Sequence, residues 1–179
     1  MRALLIIDMQ NESFQPAYPA YDSEAVVKKI NTLSAQFRQK RYPVLFIQHD
    51  GSKEGCYIPS TEGWELLPSL NTAPGDVIIS KTANDSFYRT VLKEELARLG
   101  ADELVITGTA TDFCVDSTVK SALINDFNVT VIADAHTTTD RPGLKAKQVI
   151  DHYNWLWKET TPTHHGRIAV IGFDDFMKK

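Results

Sequence analysis

Three residue types suited to acyl-transfer chemistry stand just past apolar runs in this chain: an acid at Asp8, a lysine at Lys81 and a cysteine at Cys114. A thiol is a good nucleophile only as its thiolate. Its pKa falls beside a cation and at a helix N-terminus, where unpaired N–H groups and the dipole favour negative charge. Lys81 can supply the cation. Asp8 can take the thiol proton and later hand it to a leaving amine, general acid–base work typically worth ~10²–10⁴-fold. The segment Gly108-Thr109-Ala110-Thr111-Asp112-Phe113-Cys114 reads as a loop entering a helix, so its backbone N–H groups can hold the oxyanion of a tetrahedral intermediate. Each residue also has an ordinary reading: a strand-end turn residue or cap for Asp8, a surface lysine for Lys81, a buried small hydrophobe for Cys114. Chemistry and spacing leave both readings open, because only an inferred sheet order joins these distant positions.

The elements that must position them alternate. Short apolar runs at Leu4–Ile7, Pro43–Ile47, Val77–Ile79, Glu103–Thr107, Val129–Ala133 and Arg167–Ile171 read as strands. Helical patterns fall between them at Ser23–Lys40, Phe87–Leu99, about Cys114–Asn125 and about Pro142–Lys158. Gly100 is placed to cap the second of these helices. This alternation predicts an α/β fold with a parallel sheet covered on both faces, whose strands read as continuous apolar runs. In such a fold the site lies beyond the carboxyl ends of the strands, where Asp8, Gln48-His49-Asp50, Ser80-Lys81, Gly108-Thr109-Ala110 and Asp134 stand. Asp50–Pro74 has little periodicity and reads as a long excursion of the kind that usually carries function.

Composition narrows the classes. A chain of 179 residues with 42% apolar residues suits a single domain, 1–179, with a real core. A net charge of −4 without a basic stripe argues against a nucleic-acid partner. No run approaches the roughly 20 apolar residues that span a bilayer, so no membrane association is expected. The apolar run Ala3–Ile7 is too short for an export signal, and a cytoplasmic location is expected. There Cys56 and Cys114, the two cysteines, are expected as thiols and not as a disulfide or zinc ligands.

With these residues in view, the sequence resembles the isochorismatase-like cysteine hydrolases, a family that includes nicotinamidases and N-carbamoylsarcosine amidase. The likeness rests on Leu4-Leu5-Ile6-Ile7-Asp8-Met9-Gln10-Asn11, on Lys81-Thr82 with Asp85-Ser86-Phe87 and Thr90, and above all on Val105 to Thr118 around Cys114. It runs to about Trp157. The resemblance implies a Rossmann-like three-layer sandwich with a six-stranded parallel sheet in the order 3-2-1-4-5-6. It implies a triad of Asp8, Lys81 and nucleophilic Cys114. It also implies a cis peptide between Thr109 and Ala110, and an oxyanion hole from the N–H groups of Ala110 and Cys114. The implied reaction is hydrolysis of a C–N bond in a small amide, ureido or carbamoyl substrate through a thioester. The family's true isochorismatases cleave a vinyl ether and generally lack the cysteine. A vinyl-ether hydrolase and a non-catalytic thiol-responsive binding protein are the rival readings.

Nicotinamidases of this family add a metal site after the second strand, from an Asp, a His two residues later and a further His. Here the stretch reads Gln48-His49-Asp50-Gly51, and the next histidine is His136. No metal and no cofactor are therefore expected. Phe14, Gln48, His49, Trp64 and Phe87 are the candidate substrate-binding residues, with ordinary packing an even alternative for the aromatics. Cys56 reads as a bystander. A homodimer or homotetramer is implied by resemblance alone.

Overall fold

The computed structural model describes residues 1–178. Six parallel strands form one sheet: β1 (Arg2–Ile7), β2 (Val44–His49), β3 (Val77–Lys81), β4 (Glu103–Thr109), β5 (Asn128–Thr137) and β6 (Ile168–Ile171). Their spatial order is β3-β2-β1-β4-β5-β6, the order expected above.

Successive side chains of a strand point to opposite faces, and each face is covered. Leu5 and Ile7 of β1 join a core that includes Leu92, Leu96, Val119 and Trp157. These last come from α2 (Leu92–Arg98), α3 (Asp116–Ile124) and α4 (Ala146–Glu159). Leu4 and Ile6 join the opposite core, with Val26, Ile30, Leu33 and Phe37 of α1 (Ser23–Gln39) and Phe176 of α5 (Phe173–Met177). This two-sided burial explains the continuous apolar run of β1.

Three helices start later than their patterns predict, among them α4, which begins at Ala146 and not at about Pro142. The Asp85 carboxylate accepts the Phe87 N–H at 2.9 Å, Thr90 donates to the Ser86 carbonyl at 2.6 Å, and Arg89 sits at φ 52°. These side-chain bonds offer the backbone an alternative to helix, so α2 begins at Leu92 and not at Phe87. The expected helix at Cys114 begins instead as a π turn, Thr111–Val115, which leads into α3.

The Asp50–Pro74 excursion is tied to the strand ends by several bonds, among them those of one buried amide. Gln10 Nε2 donates to the carbonyls of His49 (3.0 Å) and Trp64 (2.8 Å), and its Oε1 accepts the His49 N–H (2.7 Å). No helix among the described residues is long and apolar enough to cross a membrane.

Candidate active site

The sheet brings Asp8, Lys81 and Cys114 together, because β1 lies between β2 and β4 and β3 is the next strand beyond β2. Asp8 immediately follows β1, in a left-handed conformation at φ 49°. Lys81 is the last residue of β3, and Cys114 lies in the π turn after β4. Gly108 lets β4 approach β1 there: its φ is +117°, and a Cβ would stand 2.2 Å from the Ile7 carbonyl oxygen.

Lys81 Nζ is the hub. It donates to Asp8 Oδ2 at 2.7 Å, to Cys114 Sγ at 3.2 Å and to the Ala83 carbonyl at 3.0 Å. The side chains of Lys81 and Asp8 are 0% and 5% exposed, so this ion pair is screened little by solvent. Burial disfavours the Lys81 ammonium, but the charge of Asp8 and the contact with Cys114 outweigh it, and the lysine pKa is raised. The other Asp8 oxygen, Oδ1, is buried and has no hydrogen-bond partner among the described residues.

Cys114 departs from the expectation that a cation and a helix end lower its pKa. Burial pushes its pKa up to about 12, Asp8 adds to that, and Lys81 opposes it without prevailing. The reason is that Asp8 already balances the charge of Lys81, and the turn carrying the thiol is not a regular helix N-terminus. The thiol instead accepts from Lys81 and faces Asn84 Oδ1 at 3.6 Å.

Above this floor opens a cavity of about 770 Å³, lined by Asp8, Ala110 and Cys114. The Thr109–Ala110 peptide is cis. The Ala110 carbonyl accepts the Phe113 and Val115 N–H groups, each at 3.1 Å, which fixes the turn under the thiol. His136 braces the same turn from behind. Buried and held neutral, with its pKa lowered to about 4, it contacts Thr111 Oγ1 at 2.8 Å and Asn154 Oδ1 at 3.1 Å. Since Asn154 Nδ2 donates to the Ala133 carbonyl, its Oδ1 takes the Nε2–H proton and leaves Nδ1 to accept from Thr111.

Of the candidate substrate-binding residues, His49 lines the cavity; Phe14, Gln48, Trp64 and Phe87 do not. Phe14 packs on the α1-side core. Phe87 packs on the opposite core against Phe127, with ring centroids 5.7 Å apart. Gln48 donates to the Trp64 carbonyl at 3.0 Å, and both line a separate surface groove with Ile78 of the sheet-edge strand. The excursion, expected from sequence to carry function, contributes only Tyr57 to the wall. The remaining wall comes from Glu12, Ser13, Gln15, Ala17, Tyr18, Asn84, Thr109, Phe113 and Thr139–Pro142. Nothing in their types or spacing marks these loop residues, apart from their position after β1, β3, β4 and β5. Cys56 stays outside, its thiol pushed up by burial and by the charges of Glu12 and Glu54.

His49 Nδ1 lies 3.4 Å from Lys81 Nζ, and burial and that ammonium hold its pKa below the usual histidine value. Asp50 is occupied by the Ser52 N–H at 3.0 Å and by the Ser52 hydroxyl. No group of three or more His, Cys, Asp or Glu side chains arranged to hold a metal occurs among the described residues.

A Rossmann-like sheet carrying an acid, a lysine and a cysteine at adjoining strand ends is the pattern to which the known proteins can be compared. The chain belongs to the isochorismatase family: residues 2–157 match the isochorismatase domain. Streptothricin hydrolase of Streptomyces noursei is 32% identical over 143 residues, which cover 79% of this chain and 56% of that protein. Ureidoacrylate amidohydrolase RutB of Variovorax paradoxus (strain S110) is 31% identical over 118 residues, 65% of this chain and 42% of that protein. The chain thus spans about half the length of these two relatives. A crystal structure of an isochorismatase family protein superimposes with a TM-score of 0.84 at 31% identity, covering 94% of this chain and 97% of that one.

Proposed function

We propose that this chain is a metal-independent cysteine amidohydrolase that cleaves the C–N bond of a small amide, ureido or carbamoyl compound through a thioester on Cys114. The observation that carries the reading is Lys81 Nζ, which contacts both Asp8 and Cys114 at the floor of an open cavity. The names of the hydrolase and amidohydrolase relatives support the reaction class.

The thiol is protonated at rest, so the first step needs a base next to it. Asp8 has one oxygen held by Lys81 and the other unpartnered, and it takes the Sγ proton as sulfur attacks the carbonyl carbon. The N–H groups of Ala110 and Cys114 receive the oxyanion. Collapse breaks the C–N bond, and the nitrogen leaves as ammonia or an amine with the proton from Asp8. Water, deprotonated by the same carboxylate, then attacks the thioester. The product acid departs and the thiol regains its proton. Lys81 stays charged throughout. It holds Asp8 in place, and it stabilises the negative charge that builds on sulfur.

No step calls for a metal. At the end of β2, His49 faces the Lys81 ammonium, which repels a second cation, and Asp50 is taken by Ser52.

The test is ammonia release from a panel of small primary amides and ureido compounds by wild type and Cys114→Ala. The variant is expected to lose at least about 10³-fold in turnover. Undiminished turnover in Cys114→Ala would sink the reading. Cleavage of isochorismate that does not depend on Cys114 would favour a vinyl-ether hydrolase instead.

A further inference from the structure

The cavity above Cys114 has an unbalanced charge. Four of its lining residues carry formal charge: Asp8, Glu12, Asp140 and Arg141. Three of these have partners. Asp8 is matched by Lys81 at 2.7 Å and Asp140 by Lys145 at 2.7 Å. Arg141 grips Asp112 with two nitrogens, Nε to Oδ2 at 2.7 Å and Nη2 to Oδ1 at 3.0 Å. Two more of its five N–H groups go to the Thr139 and Thr138 hydroxyls at 2.9 and 2.7 Å, and its guanidinium lies 4.9 Å from the Phe113 ring centroid. His49, the remaining titratable nitrogen base in the wall, is kept neutral by burial and by Lys81.

Glu12 is left over. Its carboxylate has no ion pair and no side-chain hydrogen bond among the described residues. Its backbone is tied to the excursion. Its own N–H donates to the Gly63 carbonyl at 2.9 Å, and its Oε2 lies where a Cβ on Gly63 would come within 2.5 Å. The short 3₁₀ turn that carries it, Asn11–Phe14, is half-buried, and Tyr57 and the largely exposed Tyr18 line the same cavity.

An anionic group entering this cavity meets no uncommitted cation. A cationic group meets an unpaired carboxylate and two aromatic rings, the combination that suits an ammonium or guanidinium. We propose that the substrate carries a positive charge remote from the scissile carbonyl, and that Glu12 is the specificity residue that receives it. This inference rests on the proposed thiol chemistry only for where the carbonyl sits.

The experiment reads the charge preference at Cys114 without needing turnover. In a Cys56→Ser background, Cys114 is modified with two methanethiosulfonates of similar size, one bearing trimethylammonium and one bearing sulfonate. Each forms a mixed disulfide on Sγ and releases methanesulfinate. Both rates are divided by those for a free cysteine derivative. The cation-to-anion ratio is expected to be on the order of tenfold at low salt and to shrink as salt screens the field. Glu12→Gln is expected to cut the ratio several-fold, and Glu12→Asp, which keeps the charge, to retain most of it. A ratio near one, or one unchanged in Glu12→Gln, overturns the inference. Amide turnover accompanied by a ratio of one would leave the cysteine amidohydrolase reading standing, and a high ratio without amide turnover would do the reverse.

Discussion

Asp8→Asn is expected to lower turnover by about 10²–10⁴-fold and, at the same time, to make Cys114 easier to alkylate at neutral pH. The two effects part company because Asp8 does two things to the thiol. In the proposed mechanism it is the base that accepts the proton during attack, a role an amide cannot fill. Its negative charge also helps to raise the resting thiol pKa to about 12, while Lys81 pulls the other way. Removing that charge leaves the ammonium, 3.2 Å from sulfur, unopposed. The thiol pKa then falls, and at any pH below it the thiolate fraction rises. Removing Asp8 also leaves the Lys81 ammonium without its counter-charge in the interior, which costs about 3–5 kcal/mol of stability. The assays are therefore run well below the melting temperature of the variant. Steady-state rates and iodoacetamide kinetics on the same protein check the expectation. Slower turnover together with slower alkylation would mean that Asp8 maintains a resting thiolate, contrary to the mechanism above.

Gly108→Ala is expected to be the most damaging substitution for the fold. The clash it creates is with backbone: a Cβ would lie 2.2 Å from the Ile7 carbonyl oxygen and 2.5 Å from the Ile7 nitrogen. No rotamer relieves contacts of that kind, and a φ of +117° is closed to alanine as well. Ile7 is paired with Gly108 in the central ladder of the sheet, so the strain falls where β1 and β4 deliver Asp8 and Cys114. A loss above about 4 kcal/mol is expected. For a chain of this length that corresponds to a fall in melting temperature of roughly 10 °C. Thermal denaturation followed by circular dichroism gives the answer. A melting temperature within about 2 °C of wild type would show that β4 can move away from β1 at no cost.

The strand ends were readable because burial on both sheet faces forces β1, β2 and β4 into continuous apolar runs, and the first polar residue after each run marks the catalytic edge. Asp8 stands out by that logic alone, whereas Lys81 ends the edge strand β3, one face of which is exposed and whose first polar residue is Ser80. Cys114 needs the loop after β4 as well. The onset of α2 was hidden because Phe87 has the right apolar spacing, while Asp85 and Thr90 redirect the local backbone. The walls of the cavity were hidden for a different reason. Tyr57, Arg141 and Glu12 reach it from separate loops, and loop trajectories are set by contacts such as those of Gln10, distant in sequence. Aromatic type was a poor guide: Phe14 and Phe87 have the same character as Tyr18 and Tyr57, yet pack into the two cores. Sequence lists Lys81 and Asp8 as two separate influences on the thiol. In the fold they form one neutral pair.

The most direct test of the account is the state of Cys114 during turnover. Enzyme mixed with an excess of a cleaved amide is quenched in acid within the first turnovers and digested, and the peptide containing Cys114 is weighed. The account predicts a gain equal to the substrate less its leaving amine, on Cys114 alone, removable by hydroxylamine. Continued release of ammonia while that peptide keeps its unmodified mass at every time point would contradict it.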